Sequence, residues 1–314
     1  MYFPVAGIEV HPIIPPLVAF SISFFTSMGG VSGAFLLLPF QVSILGFSTP
    51  SVSATNQLFN IVAIPSGVYR YIKEGRMVWP LTWVVIIGTL PGVFIGAFLR
   101  IQYLPDPKNF RMFAGFVLLY IGGRLLRDLL ARKNTDTTKP SAEEQFQRLI
   151  KQFTSKEGYG NSLPKAVVKK FSLSHIVYEF YGDEFNINAP GIMALSFLVG
   201  IVGGVYGIGG GAILAPFFVS FFGLPVYTVA GAVLMGTFVT SLAGVVFYQL
   251  MSPFYPHMAV APDWALGFLF GIGGFTGMYC GARLQKFVPP KVIKWIIAGC
   301  ILFPAIKYIF GFFS

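Results

Sequence analysis

Apolar residues gather into eight runs separated by polar or charged stretches: Ile13 to Leu45, Pro50 to Tyr69, Trp79 to Leu99, Phe110 to Leu126, Ala189 to Phe222, Val226 to Leu250, Trp264 to Leu284 and Val292 to Phe313. A helix needs about 20 mostly apolar residues to cross a bilayer, so six of the runs suit one crossing each. The first and fifth are too long. Both carry glycine in the middle: Gly29-Gly30-Val31-Ser32-Gly33 in one, Gly203-Gly204 and then Gly207-Ile208-Gly209-Gly210-Gly211 in the other. Glycine at that density breaks or bends a helix, and each long run is expected to be two helical pieces.

The halves repeat each other. Placing Pro39 on Pro216, an offset of 177, also pairs Gly33 with Gly210, Ala34 with Gly211, Leu37 with Leu214, Val42 with Val219, Gly46 with Gly223 and Gly67 with Gly244. Further on the offset becomes 185 and pairs Trp79 with Trp264, Gly88 with Gly273, Gly92 with Gly277 and Gly96 with Gly281. Glycines aligned at two offsets indicate an internal duplication. The expected organisation is a first transmembrane repeat over residues 1–126, a cytoplasmic central loop over 127–188 and a second transmembrane repeat over 189–314. The fold class is all-α integral membrane protein, each half holding a glycine-broken segment and three transmembrane helices.

Charge bears on the topology. If each long run crosses fully, Arg283, Lys286, Lys291 and Lys294 fall outside. If each is instead a re-entrant hairpin of two half-helices, the second half is inverted. The loop of Arg70, Lys73 and Arg76, the central loop and the Arg283 to Lys294 loop then all lie in the cytoplasm, as the positive-inside rule prefers. Arg100, Lys108 and Arg111 are left as a minority outside.

Composition agrees with the bilayer reading. The 314 residues are 55% hydrophobic and only 11% charged, against roughly 25% charged in a soluble domain. The net charge of +10 is spread between apolar runs, not gathered on one exposed face as in a nucleic-acid binder, so no nucleic-acid partner is expected. Cys280 and Cys300 lie in apolar runs and read as small buried hydrophobes. The first residues lack a basic n-region and cleavage site, so the N-terminal segment is expected to stay in the mature protein. In the central loop, Ser141 and Glu144 have capping-box spacing ahead of an apolar stripe of Phe146, Leu149, Ile150 and Phe153. Val177 to Ile187 reads as a small hairpin.

The spans hold no convincing buried acid or base, which argues against an intramembrane proton relay. His11 and His257 fall at boundaries or in loops, and His175 in the central loop. Phosphate-binding, zinc-helix and nucleophile-elbow motifs are absent, so neither enzyme chemistry nor a metal or cofactor is expected. What remains is the pair of glycine breaks. A half-helix starting after a break has free N–H groups and partial positive charge at its start, and two such ends brought together make an anion site without a buried Lys or Arg. The expected site residues are Gly30, Ser32, Gly33 and Ala34 at the first break, and Gly207, Gly209, Gly210 and Gly211 at the second. Asn56, Gln57 and Asn60 stand beside the first, with Thr55, and Thr237, Thr240 and Ser241 beside the second. The alternative for the glycines is tight helix packing, and for the polar side chains interhelical hydrogen bonding. Packing is the preferred reading for Gly88, Gly92, Gly96, Gly273, Gly277 and Gly281.

The stretch from Gly203 to Pro216, GGVYGIGGGAILAP, and its reduced copy from Gly29 to Pro39, GGVSGAFLLLP, resemble the paired signature of the TauE/SafE family of sulfite exporters. The likeness covers both hydrophobic halves and omits the central loop. It implies a polytopic inner-membrane carrier for sulfite, thiosulfate or an organosulfonate such as sulfoacetate. Alternating access, one bundle or repeat moving against the other around an anion held at the two breaks, is the expected mechanism. The halves are unequal: Ser32 and Ala34 stand opposite Gly209 and Gly211, and Thr55 and Asn56 opposite Ala232 and Val233, which moves polar selectivity toward the first half. Two rival functions stay open at this point, an anion channel and a membrane sensor or assembly protein acting through the central loop. Self-association into a homo-oligomer is left open as well.

Overall fold

The computed structural model describes residues 1–28, 32–73, 75, 77–130, 166–172, 174–180, 183–211, 213–224, 226–284 and 290–313. The first long run is two helices, α1 (Ile14–Met28) and α2 (Ala34–Ser43), followed by α3 (Ser51–Lys73), α4 (Trp79–Gln102) and α5 (Pro107–Leu130). In the second half, α6 (Ala189–Tyr206) and α7 (Leu214–Phe221) make up the broken run, and α8 (Val226–Met251), α9 (Trp264–Leu284) and α10 (Pro290–Phe313) follow. Both glycine-rich runs are thus interrupted where glycine predicts it. Gly30 and the Ser141 to Phe153 stretch lie outside the described residues.

The halves exchange their first helices. α1 packs along α9 of the other half, and α6 packs along α4; α5 lies against α10, while α3 touches both α8 and α9. The four-residue glycine stripes make these seats. A Cβ on Gly88 would come within 2.9 Å of the Met193 carbonyl oxygen. On Gly92 and Gly96 it would overlap the Phe197 and Ile201 carbonyls, and on Gly273, Gly277 and Gly281 those of Pro16, Phe20 and Phe24. The contacted residues are themselves 177 apart in sequence, so the duplication extends to which backbone each glycine touches. These six glycines let helices approach, as the packing reading holds.

α4, α6 and the stretch Thr228–Phe254 are each long and apolar enough to span a membrane. Their outward faces and those of neighbouring helices expose Trp83, Ile87, Phe98, Val246, Phe268, Ile272 and Tyr279, a surface suited to lipid tails. This is a multi-pass, predominantly helical membrane protein.

Chain ends sort into two sets of mutual contacts. In the first set, Ala6 N–H donates to Asp263 Oδ2 at 3.2 Å, Ser51 N–H to the Ala259 carbonyl at 3.0 Å and Tyr255 Oη to Gln102 Oε1 at 3.1 Å. Arg100, fully buried at the end of α4, lies 3.7 Å over the Phe110 ring and donates to the Ser48 carbonyl at 3.0 Å. In the second set, a Cβ on Gly231 near the start of α8 would sit 3.3 Å from both Tyr71 and Met77, and the Tyr178 and Thr228 hydroxyls meet at 2.8 Å. Near the N-terminus β1 (Tyr2–Phe3) pairs with β2 (Ile8–Glu9), and Tyr178 belongs to a separate antiparallel sheet of β3 (Val167–Phe171), β4 (His175–Phe180) and β5 (Asp183–Asn188). The β4–β5 pair is the expected hairpin. Burial of Ile176, Tyr178 and Phe180 seats it, and the same burial pushes the Tyr178 phenol up to about 12.

Pro39 lies inside α2 and cannot supply the N–H that the Phe35 carbonyl would otherwise receive. The Tyr206 hydroxyl, from the last residue of α6, donates to that carbonyl at 3.0 Å. Tyr206→Phe is expected to leave the buried carbonyl bare and to cost about 1–3 kcal/mol. It would be read as a lower melting temperature in detergent; an unchanged one would show that α2 does not depend on this bond.

Candidate functional site

The breaks meet on α3. Ser53, Asn56 and Asn60 fall three and four residues apart, on one face of that helix, and all three are buried. Along this stripe they donate in turn to three carbonyls around the second break: Ser53 Oγ to Val205 at 3.1 Å, Asn56 Nδ2 to Gly207 at 3.0 Å and Asn60 Nδ2 to Ile208 at 2.9 Å. The same Asn56 Nδ2 donates to the Ala34 carbonyl at 3.0 Å, at the start of α2. One amide therefore ties both breaks together.

Ser32 closes the first break. Its hydroxyl donates to Asn60 Oδ1 at 2.7 Å and accepts from the Ala34 N–H at 3.3 Å. At the second break, Gly207 and Gly209 adopt φ of 81° and 74°, left-handed values that glycine reaches without strain. The N–H groups of Gly207 and Ile208 both return to the Gly203 carbonyl, at 2.9 and 3.1 Å, a glycine-ended helix terminus. α3 and α8 then press on the break: a Cβ on Gly207 would lie 2.5 Å from Ser53 Cα, and one on Gly209 2.7 Å from Ser241 Oγ.

The remaining expected residues divide. Thr240 joins the break: its Oγ1 accepts from the Gly210 N–H at 3.1 Å while donating to the Gly236 carbonyl at 2.7 Å. Ser241 Oγ receives a second bond from Asn60 Nδ2 at 3.3 Å. Thr237 underlies Gly209 and Gly211, but its hydroxyl is spent on the Val233 carbonyl at 2.8 Å, on its own helix. Thr55 points elsewhere and accepts from the Asp263 N–H at 2.9 Å. Gln57 faces α8 at Gly244, buried, with neither amide atom hydrogen-bonded; a native interior seldom leaves such a group unanswered. Gln41 was not expected. From α2 its Nε2 donates to Asn56 Oδ1 at 3.2 Å, and its polarity inside an apolar half-helix was the available signal.

Amide and hydroxyl donors cover the carbonyls of Ala34, Val205, Gly207 and Ile208. In each half a hydroxyl oxygen already sits on a break N–H, Ser32 on Ala34 and Thr240 on Gly210. Among the described residues no three of His, Cys, Asp and Glu come together, and the donors at hand are neutral amides, hydroxyls and backbone.

The family model described as "Sulfite exporter TauE/SafE" matches residues 16–308, nearly the whole chain. The chain belongs to the TauE/SafE sulfite exporter family. A curated relative from Bacillus subtilis (strain 168), "Probable membrane transporter protein YunE", is 22% identical over 297 residues, covering 92% of this chain and 94% of its own. No solved structure matches the chain. Membership in TauE/SafE makes this a membrane transport protein, and the paired glycine motif is the part of this TauE/SafE chain that α3 gathers into one place.

Proposed function

We propose that the chain carries a small sulfur oxyanion, sulfite, thiosulfate or an organosulfonate such as sulfoacetate, by alternating access about the two breaks. The observation that carries the site is the pair of hydrogen bonds from Asn56 Nδ2 to the Ala34 and Gly207 carbonyls, which holds both breaks on one helix. An oxyanion entering there would displace the Ser32 and Thr240 oxygens from the break N–H groups and gain Gln57 as a donor. Neutral donors bind an anion and remain neutral when it leaves, which suits cargo that must be released. Sulfur as the element comes from the family.

The broken runs act, in this reading, as re-entrant hairpins of inverted repeats. Supporting this is the company kept by the chain ends. Ser51, after the first broken run, contacts Ala259, and Tyr71 and Met77 lie beside Gly231; full crossing by the long runs would put each of these pairs on opposite faces. α1, α2 and α7 are also short of a full span, at 15, 10 and 8 residues. The hairpin topology places the central sheet in the cytoplasm.

Purified protein in proteoliposomes preloaded with unlabelled sulfite is expected to accumulate labelled sulfite by counterflow. No counterflow with any sulfur oxyanion would remove the substrate assignment, and single-channel conductance in planar bilayers would replace the carrier by a channel.

A further inference from the structure

Where α5 begins and α10 ends, a cavity of about 560 Å³ is lined by Ser43, Asp106, Lys108, Arg111, Lys307 and Tyr308, among others. Three segments distant in sequence converge there: the end of α2, the first turn of α5 and the last turns of α10. The charges do not cancel. Asp106 is engaged in starting α5, its Oδ1 accepting from the Lys108 and Asn109 N–H groups at 2.6 and 3.1 Å. Three cationic side chains face that single carboxylate, and the N-terminus of α5 adds its own partial positive charge.

The cavity is joined to the break. Tyr308, buried at its base, accepts from Ser43 Oγ at 2.8 Å and donates to the Pro39 carbonyl at 3.3 Å. Both partners are on α2, whose 10 residues span about 15 Å and end at Ala34, the residue held by Asn56. In the hairpin topology this face lies away from the cytoplasm, where the positive-inside rule disfavours Lys108 and Arg111. A job for those charges accounts for their position.

We propose that this cavity is an outer anion-loading site, taking a small oxyanion before it reaches, or after it leaves, the breaks. Its role in transport rests on the reading of the preceding subsection; its preference for oxyanions is a property of the cavity alone. Clustered positive charge in a concave site raises the local concentration of anions by roughly 10-fold or more, and the effect fades as salt shortens the screening length.

Gly311 lines the cavity, and a Cβ there would meet nothing within 4 Å, so Gly311→Cys is a reporter that leaves all three cations in place. In a Cys280→Ser, Cys300→Ser background, reaction with a sulfonate-bearing methanethiosulfonate is expected to outpace the trimethylammonium analogue by about 10-fold. Lys108→Gln, Arg111→Gln and Lys307→Gln together should bring the ratio near unity. Added sodium sulfate should slow the sulfonate reagent in phosphatidylcholine vesicles. A ratio near unity in the parent would overturn the site. Protection seen only in vesicles containing phosphatidylglycerol would make the occupant a lipid phosphate and overturn the loading role. Loss of sulfite counterflow with the reactivity ratio intact would count against the proposed cargo and not against the cavity.

Discussion

Asn56→Leu is expected to reduce sulfite counterflow on the order of 100-fold while the protein still reaches the membrane. The substitution removes a side chain bonded to both breaks, stranding the Ala34 and Gly207 carbonyls and also Gln41 Nε2. A buried polar group left without its partner costs about 1–3 kcal/mol, and membrane interiors lie toward the low end of that range. Two carbonyls at the low end still amount to a factor of roughly 30 in the population of the paired arrangement. Leucine also puts an apolar side chain where the oxyanion would be held. Asn56→Gln keeps the donor but moves it by one methylene, and should recover part of the flux. Wild-type counterflow by Asn56→Leu would remove α3 from the site.

The second large effect concerns assembly. Gly92→Leu should abolish monodisperse folded protein on size exclusion in detergent, and Gly277→Leu should do the same. Each puts a side chain into the opposing carbonyl, Phe197 in one case and Phe20 in the other, and backbone has little room to yield. Overpacking commonly costs about 1–3 kcal/mol where side chains can shift, and more is expected against backbone. Gly123→Leu serves as the control, because a Cβ there meets nothing within 4 Å. The duplication makes a sharper demand: the two variants should fail to a similar degree, and a fully tolerated Gly277→Leu would sink the equivalence of the two helix seats.

The sequence showed much of this and concealed a definable remainder. The breaks at Gly29 to Gly33 and Gly203 to Gly211 were legible because glycine density inside an apolar run has few other uses, and Asn56 and Asn60 because polar side chains are costly in a span. Gln57 came out of the same reading, yet Thr55, its near neighbour, turned out to secure the Asp263 N–H; spacing along a helix does not say which way each side chain is drawn. Glycine stripes announced close approach without naming the partner, so the exchange of α1 and α6 between halves was not foreseen. β3 escaped because Val167 to Phe171 is exposed along its whole length and shows no alternation. The cavity at the start of α5 was hidden for a different reason: Lys108 and Arg111 were visible only as exceptions to a charge rule, and Lys307 joins them through folding alone.

The exchange of helices also sets a calendar for biogenesis. α1 leaves the ribosome first, yet the backbone groove that receives it is on α9, near the end of the chain. Until that helix is made, α1 has hydrophobic surface but no seat. α6 has no such delay, since α4 precedes it. Truncations before Trp264 should therefore leave α1 open to protease in a way that truncations after Leu284 do not, a difference in timing written into two otherwise matching halves.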